Sequence, residues 1–260
     1  ENNGVHIHHE ANLRGITKKD DALQVILDYE SGNSKVFDVD VALVAIGRIP
    51  NTNNLGLENI GLELTPNGMF KTDGFCRIND LGRCNIYAAG DITGHGQLYN
   101  IASRQGRYVI DSLFSEATGP ISYRNMSTLM FFKPEVAAVG QNEKQLRAKG
   151  IPHRVAYYSN ELVARAIAMR NTKGFVKIIA GPADEILGMR AAGPQASAFI
   201  VSVAHLIGEK GGLHEVYKTI HPHPGVSEGI EECLRIFEQA SIFKREAFPE
   251  YIIYREWKPE

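Results

Sequence analysis

At 260 residues and 43% apolar composition, the chain is long enough to bury a sizeable core, in one large domain or two ordinary ones. Its formal net charge of −2 is small and its basic residues are scattered, which gives no footing for nucleic acid or a polybasic membrane contact. No apolar run approaches the roughly 20 residues that cross a bilayer, and the opening Glu1-Asn2-Asn3-Gly4 lacks the order of a signal peptide, so a cytoplasmic protein is expected.

Gly4-Val5-His6-Ile7-His8 reads as a strand entering a hairpin with no partner before it, an opening that implies an earlier start to the natural chain. Period two puts His6 and His8 on one face. With no carboxylate or cysteine cluster to match, these and His9 are expected as solvent-exposed histidines, and no metal site is expected. From residue 23 to 41 the alternation of Leu23, Val25, Leu27 and Tyr29, then Phe37, Val39 and Val41, around Ser31-Gly32-Asn33, predicts a β-hairpin. Val41-Ala42-Leu43-Val44-Ala45-Ile46 is apolar on both faces, as a strand covered on both sides would be, and stops at Gly47-Arg48.

A second buried strand, Ile86 to Ala89, ends at Gly90-Asp91. A helix from near Gln97 to Phe114 follows, with Leu98, Ile101, Ala102, Val109 and Leu113 on one side. Beyond Ser122 the spacing predicts strands over 127–132, 136–139, 153–158, 174–180 and 186–192. It also predicts a short helix from Asn142 to Lys149 and a longer one from Gln195 to Ile207. This second region is an α+β domain, a sheet with helices to one side. The tail from Gln239 mixes Phe243, Phe248, Tyr251, Tyr254 and Trp257 with charges, and either packs on the body or contacts a partner.

Three constellations carry chemistry. Asp91 closes a buried strand just before a turn into a helix, where a carboxylate can accept hydrogen bonds from sugar hydroxyls; the alternative is a turn residue that only caps backbone. Gly47 at a strand end permits close approach of a dinucleotide, or ends a plain strand before a Pro-Asn turn. In His221-Pro222-His223-Pro224-Gly225-Val226-Ser227-Glu228 two prolines restrict the backbone around His223, and Ser227 is placed to cap a helix with Glu228 in its first turn. A carboxylate beside a fixed imidazole orients the ring and raises its basicity; the alternative is a surface histidine in a Pro-rich loop.

These segments resemble, in order, those of class I pyridine-nucleotide-disulfide oxidoreductases, closest to the dihydrolipoamide dehydrogenase type. Asn85-Ile86-Tyr87-Ala88-Ala89-Gly90-Asp91 resembles the family's second flavin motif, and Ala45 to Asn51 its last nicotinamide-domain strand and exit loop. Phe131 to Gly140 and Gly193 to Ser197 resemble the strands and helix of its interface domain, and the His223 segment resembles the lipoamide-type His-Pro stretch. The resemblance implies remnants of the NAD-binding (1–53) and FAD-binding (54–122) α/β domains, then a dimer-interface domain (123–240) and a tail (241–260). It implies Gly90 and Asp91 at the ribityl chain of FAD, backbone N–H groups near Leu98 and Tyr99 at the flavin carbonyl, and Gly47 and Arg48 on the NAD(P) side. His223 becomes the acid/base for a dithiol substrate, Glu228 its orienting partner, and the assembly a homodimer.

The family's Cys-x-x-x-x-Cys pair and its GxGxxG turns are absent, and Cys76, Cys84 and Cys233 have no such spacing. The chain is therefore expected to be the C-terminal half of a longer parent, inactive and without bound cofactor by itself. Two alternatives stand beside this: a non-catalytic dimerisation module, and a family member acting on another disulfide. A mercuric reductase is disfavoured, since no vicinal cysteine pair ends the chain.

Overall fold

The structure, a computed structural model, describes residues 4–78, 85–115 and 119–259. It has two compact units, Glu1–Leu55 with Thr65–Met69, and Gly56–Leu64 with Phe70–Glu260.

The first unit carries an antiparallel sheet of three strands in the order β1 (Ala11–Lys19), β2 (Ala22–Tyr29), β3 (Ser34–Val39). The β2–β3 hairpin is the expected one, turning through Gly32 at φ 84°. The strand expected at residues 4–8 is not formed. Those residues are exposed and irregular, so His6 and His8 share no strand face; His8 instead places Nδ1 2.7 Å from the Tyr29 hydroxyl. Strand pairing begins later because β1 is the segment that aligns with β2, and its pattern is disguised by a bulge. Leu13 pairs Leu27 and Gly15 pairs Ile26, so Arg14 is the extra residue that breaks the period of two. Val41 to Ile46 is likewise no strand, and Leu43 is 90% exposed. A strand apolar on both faces needs neighbours on both sides, and no described strand pairs with it.

In the second unit β4 (Arg77–Ile78) pairs with β5 (Ile86–Tyr87), shorter than expected, and helix α1 spans Tyr99–Phe114. A six-stranded antiparallel sheet follows, built from β6 (Ser127–Met130), β7 (Val136–Gly140), β8 (His153–Ser159), β9 (Phe175–Ala180), β10 (Ile186–Ala192) and β11 (Ile252–Trp257). Its order is β11-β8-β9-β10-β7-β6. Between and after these strands lie α2 (Glu143–Ala148), α3 (Ala164–Ala168), α4 (Ala196–Gly208), α5 (Leu213–Tyr217) and α6 (Glu228–Phe237).

Alternation along the strands sorts the core into two layers. Ala156, Val176, Ile178, Met189 and Ala191 meet Ile200 and Val203 of α4 and Ile230, Cys233 and Leu234 of α6. On the opposite face Val155 and Ile179 meet Leu146 of α2. The two longer helices thus share one side, as expected, with α2 on the other. The tail packs on the body: Phe248, Tyr251 and Tyr254 join the core, and β11 runs from Ile252 opposite Tyr158 to Trp257 opposite His153. No helix among the described residues is long and apolar enough to cross a membrane.

Two caps show how side chains replace missing backbone partners. Asn142 and Gln145 form a reciprocal capping box on α2. At α4 the residue before the helix, Gln195, offers no side-chain cap; Glu135, the residue just before β7, accepts from Ser197 N at 3.0 Å and Ser197 Oγ at 2.7 Å. The Ser197 backbone N–H, then its hydroxyl, hold the Glu135 carboxyl below its ordinary value of 4.5. A depressed folded-state pKa contributes stability above the unfolded value and loses it as pH falls through the folded one. Glu135→Gln should therefore cost about 0.5–1 kcal/mol at neutral pH, and chemical denaturation in acid should find the two proteins converging below pH 4.5. A difference independent of pH would exclude a charge-assisted cap.

Candidate functional site

The first candidate site is the turn between β5 and α1. Gly90 lies at φ 88° and ψ −156°, a conformation open to glycine, so the chain reverses there without strain. Asp91–Thr93 forms one 3-10 turn, closed when Gly94 N donates to Asp91 O. Asp91 stands partly exposed at the head of this turn. The turn is held from behind: Gly90 N donates to Gln105 Oε1 at 2.7 Å, and Thr93 Oγ1 donates to Gly90 O at 2.8 Å.

Helix α1 then starts at Tyr99 with Leu98 in the capping position, whose apolar side chain offers no cap. Ile101 N and Ala102 N both donate to Leu98 O, and the N–H groups that open the helix carry its positive end. A carboxylate for hydroxyls and a nearby row of N–H groups for a carbonyl fit the polyol and ring-oxygen parts of a flavin. Tyr99 projects a side chain that is largely solvent-exposed, so its bulk does not fill the turn.

The second candidate is the loop before α6. The first residue of that helix, Glu228, divides its carboxylate: Oε2 is 3.0 Å from His223 Nδ1, while Oε1 accepts from Gly225 N. The imidazole is 73% exposed and the carboxylate 22%. One ring nitrogen is thereby anchored, and Nε2 faces no described partner. Ser227 does not act as the expected cap. Its backbone is already helical at φ −65° and ψ −14°, whereas a capping residue is extended, and Glu228 takes the loop N–H instead.

The expected site residues are only partly brought together. His223 meets Glu228, and Gly90, Asp91, Leu98 and Tyr99 belong to one turn-and-helix unit. Gly47 and Arg48 lie in the first compact unit, on an exposed segment with Gly47 at φ 121°, and not at the end of a formed strand. Cys76 and Cys233 are free and buried, with burial pushing both thiols up; Cys84 lies outside the described residues. Among the described residues no group of three or more His, Cys, Asp or Glu could hold a metal ion. Sequence reasoning missed Gln105, which is wholly buried, and His221, whose Nε2 is buried without a hydrogen-bond partner.

Residues 126–234 match the pyridine nucleotide-disulphide oxidoreductase dimerisation domain, and residues 1–106 match the pyridine nucleotide-disulphide oxidoreductase family. The chain is 34% identical over 235 residues to dihydrolipoyl dehydrogenase of Bacillus subtilis, which covers 89% of this chain and 48% of that protein. To the mitochondrial dihydrolipoyl dehydrogenase of Canis lupus familiaris it is 33% identical over 85% of this chain and 43% of that one. Among solved structures, LpdA from Mycobacterium tuberculosis superposes with a TM-score of 0.79 at 29% identity, over 91% of this chain and 50% of that one. The HOCl-induced flavoprotein disulfide reductase RclA from Escherichia coli gives 0.72 at 26%, over 86% and 50%. The chain spans about half the length of the curated relatives it matches.

The division of labour at Glu228 has a direct consequence. In Glu228→Ala the Gly225 amide loses its acceptor, and its hydrogen exchange should quicken by about tenfold or more. Ser227→Ala, which removes no hydrogen bond, should leave that rate unchanged. Equal rates in all three proteins would show that the carboxylate does not hold the loop.

Proposed function

The chain belongs to the pyridine nucleotide-disulphide oxidoreductase family as a partial member close to lipoamide dehydrogenase, and from that premise we propose that it supplies the C-terminal part of an FAD-dependent, NAD(P)-linked disulfide oxidoreductase. The substrate is a small dithiol of the lipoamide class. The observation that carries this reading is the 3.0 Å contact between His223 Nδ1 and Glu228, with the ring otherwise open to solvent.

Bound FAD supplies a two-electron carrier between a dithiol and a nicotinamide. The residues of this chain do the rest of the work assigned to it. His223 takes the thiol proton at Nε2, which turns the substrate into the thiolate needed for exchange with a disulfide. Glu228 fixes the tautomer with the proton on Nδ1 and holds the ring in place as Nε2 takes the proton. Asp91 receives hydroxyls of the ribityl chain, and the N–H groups at the start of α1 meet the flavin carbonyl. Gly47 and Arg48 serve the nicotinamide dinucleotide.

The redox-active cysteine pair comes from outside these 260 residues, since none has the required spacing within them. Two further observations support a site completed from elsewhere. Val41, Leu43 and Ile46 are exposed in the first unit, and Ile110, Leu113 and Phe114 of α1 are exposed in the second. Apolar side chains in such number normally have a cover. The dimerisation domain supports a homodimer, to which the exposed Phe131, Phe132 and Ile220 offer apolar surface. A purely dimerising role is the second reading, favoured by the lack of a redox pair within this sequence.

The test uses the flavin-loaded whole protein. His223→Gln should lower turnover with the dithiol by ~10²- to 10⁴-fold while reduction of a dye that draws electrons directly from the flavin changes little. Glu228→Gln should give a smaller defect of the same kind. Equal losses in both assays would remove His223 from the thiol chemistry.

A further inference from the structure

Gln105 stands in the middle of α1 with no exposed surface, four hydrogen-bonding sites on its side chain and no role in helix formation. Its surroundings decide its orientation. Gly90 N–H can only donate, so the atom 2.7 Å from it is the amide oxygen. The Thr93 hydroxyl spends its proton on Gly90 O and therefore accepts from Gln105 Nε2 at 3.0 Å. The second Nε2 proton goes to the Tyr123 hydroxyl at 2.7 Å. Tyr123 is itself fixed, stacked on His95 with ring centroids 4.5 Å apart, and it lies within hydrogen-bonding reach of Cys76. A single amide thus satisfies both sides of the Gly90–Thr93 turn and ties it to the helix and to Tyr123.

We propose that Gln105 is the positioning residue of the flavin site, holding the Gly90 N–H so that the next residue, Asp91, presents its carboxylate to the ribityl hydroxyls. The argument is geometric. Gly90 has no side chain and sits in a backbone region that glycine explores widely, so the turn needs an external restraint. The hydrogen bond to its N–H fixes the Ala89–Gly90 peptide plane, and Thr93, itself held by Gln105 Nε2, fixes the Gly90–Asp91 plane through Gly90 O. Errors of about 1 Å at such a position weaken ligand contacts strongly. Gln105 touches no cofactor atom in this scheme; it acts through Asp91. The proposal rests on the reading of the turn as the ribityl site.

Three variants separate the possibilities. Gln105→Leu removes both ends of the amide. Gln105→Glu, held neutral by burial, accepts from Gly90 N–H with one oxygen and with the other donates to Thr93 Oγ1 and accepts from the Tyr123 hydroxyl, so Thr93 keeps its bond to Gly90 O and the variant should rescue. Tyr123→Phe removes only the far end. In the 260-residue chain, hydrogen exchange at the Gly90 amide should be slow in wild type, Gln105→Glu and Tyr123→Phe, and about ten- to hundredfold faster in Gln105→Leu. In the flavin-loaded whole protein, Gln105→Leu should weaken FAD binding by about the same factor and alter the visible circular dichroism of the bound flavin, with both restored in Gln105→Glu.

A wild-type Gly90 amide exchanging at the rate of a free amide would overturn the proposal with no variant needed, which covers the case of Gln105→Leu failing to fold. Faster exchange at Gly90 with unchanged flavin affinity and dichroism would overturn it as well. Wild-type whole protein that binds no FAD would instead sink the reading of the turn as a flavin site.

Discussion

Helix α6 lies against the sheet at Gly229, where an added Cβ would fall 2.8 Å from Val176 Cγ2 of β9. That contact fixes the start of α6 against β9, and the burial of Ile230, Cys233 and Leu234 keeps the rest of the helix down on the same face. Glu228 precedes Gly229, so its carboxylate is placed by packing and not by the loop it holds. The loop follows from the carboxylate: Gly225 and His223 are bound to a group whose own position is set by the core. An exposed imidazole is ordinarily free to turn. Here the sheet reaches it through one helix start.

The same logic operates at the other candidate site, with a polar group in place of an apolar one. The turn carrying Asp91 is short and begins at a glycine; Ile92 within it packs against Phe70, Ile78 and Ala88 and accepts from Phe70 N, but neither contact acts on the Gly90 peptide itself. A buried amide on the neighbouring helix supplies the restraint through directional hydrogen bonds, which fix orientation as well as position. Both candidate sites therefore use a rigid element to hold a side chain that is at least partly exposed. The first compact unit contributes no comparable device among its described residues; Gly47 and Arg48 lie on an exposed segment.

Much of the fold was legible because period and punctuation agreed. The β2–β3 hairpin, the five strands from β6 to β10 and helices α2, α4 and α6 fall close to where alternation, helical spacing and capping residues put them. Where reading failed, a specific interaction had overridden the pattern. Arg14 as a bulge residue hid β1, and the apolar run after Val39 advertised a sheet neighbour that the described residues do not provide. In α1 the buried stripe is Ile101, Gln105 and Tyr108, spaced by four and three, but a polar residue at its centre made that stripe look like the wrong face. β11 was obscured by its edge position, which lets two consecutive charged residues, Arg255 and Glu256, interrupt the alternation. At the candidate sites, residue types and order pointed to His223, Glu228 and Asp91, whereas the groups that position them are set by tertiary contact and leave little trace in local sequence.

On the function proposed above, these 260 residues hold only the ribityl and carbonyl side of a flavin site, and the remaining grip on the cofactor's adenine and pyrophosphate lies elsewhere. Charge-assisted phosphate contacts contribute about 1.5–3 kcal/mol each, so their absence should weaken binding by several orders of magnitude. The most direct measurement is the flavin absorbance of the purified chain after incubation with FAD and gel filtration. The account predicts a colourless protein; a flavin band surviving at stoichiometric level would contradict it.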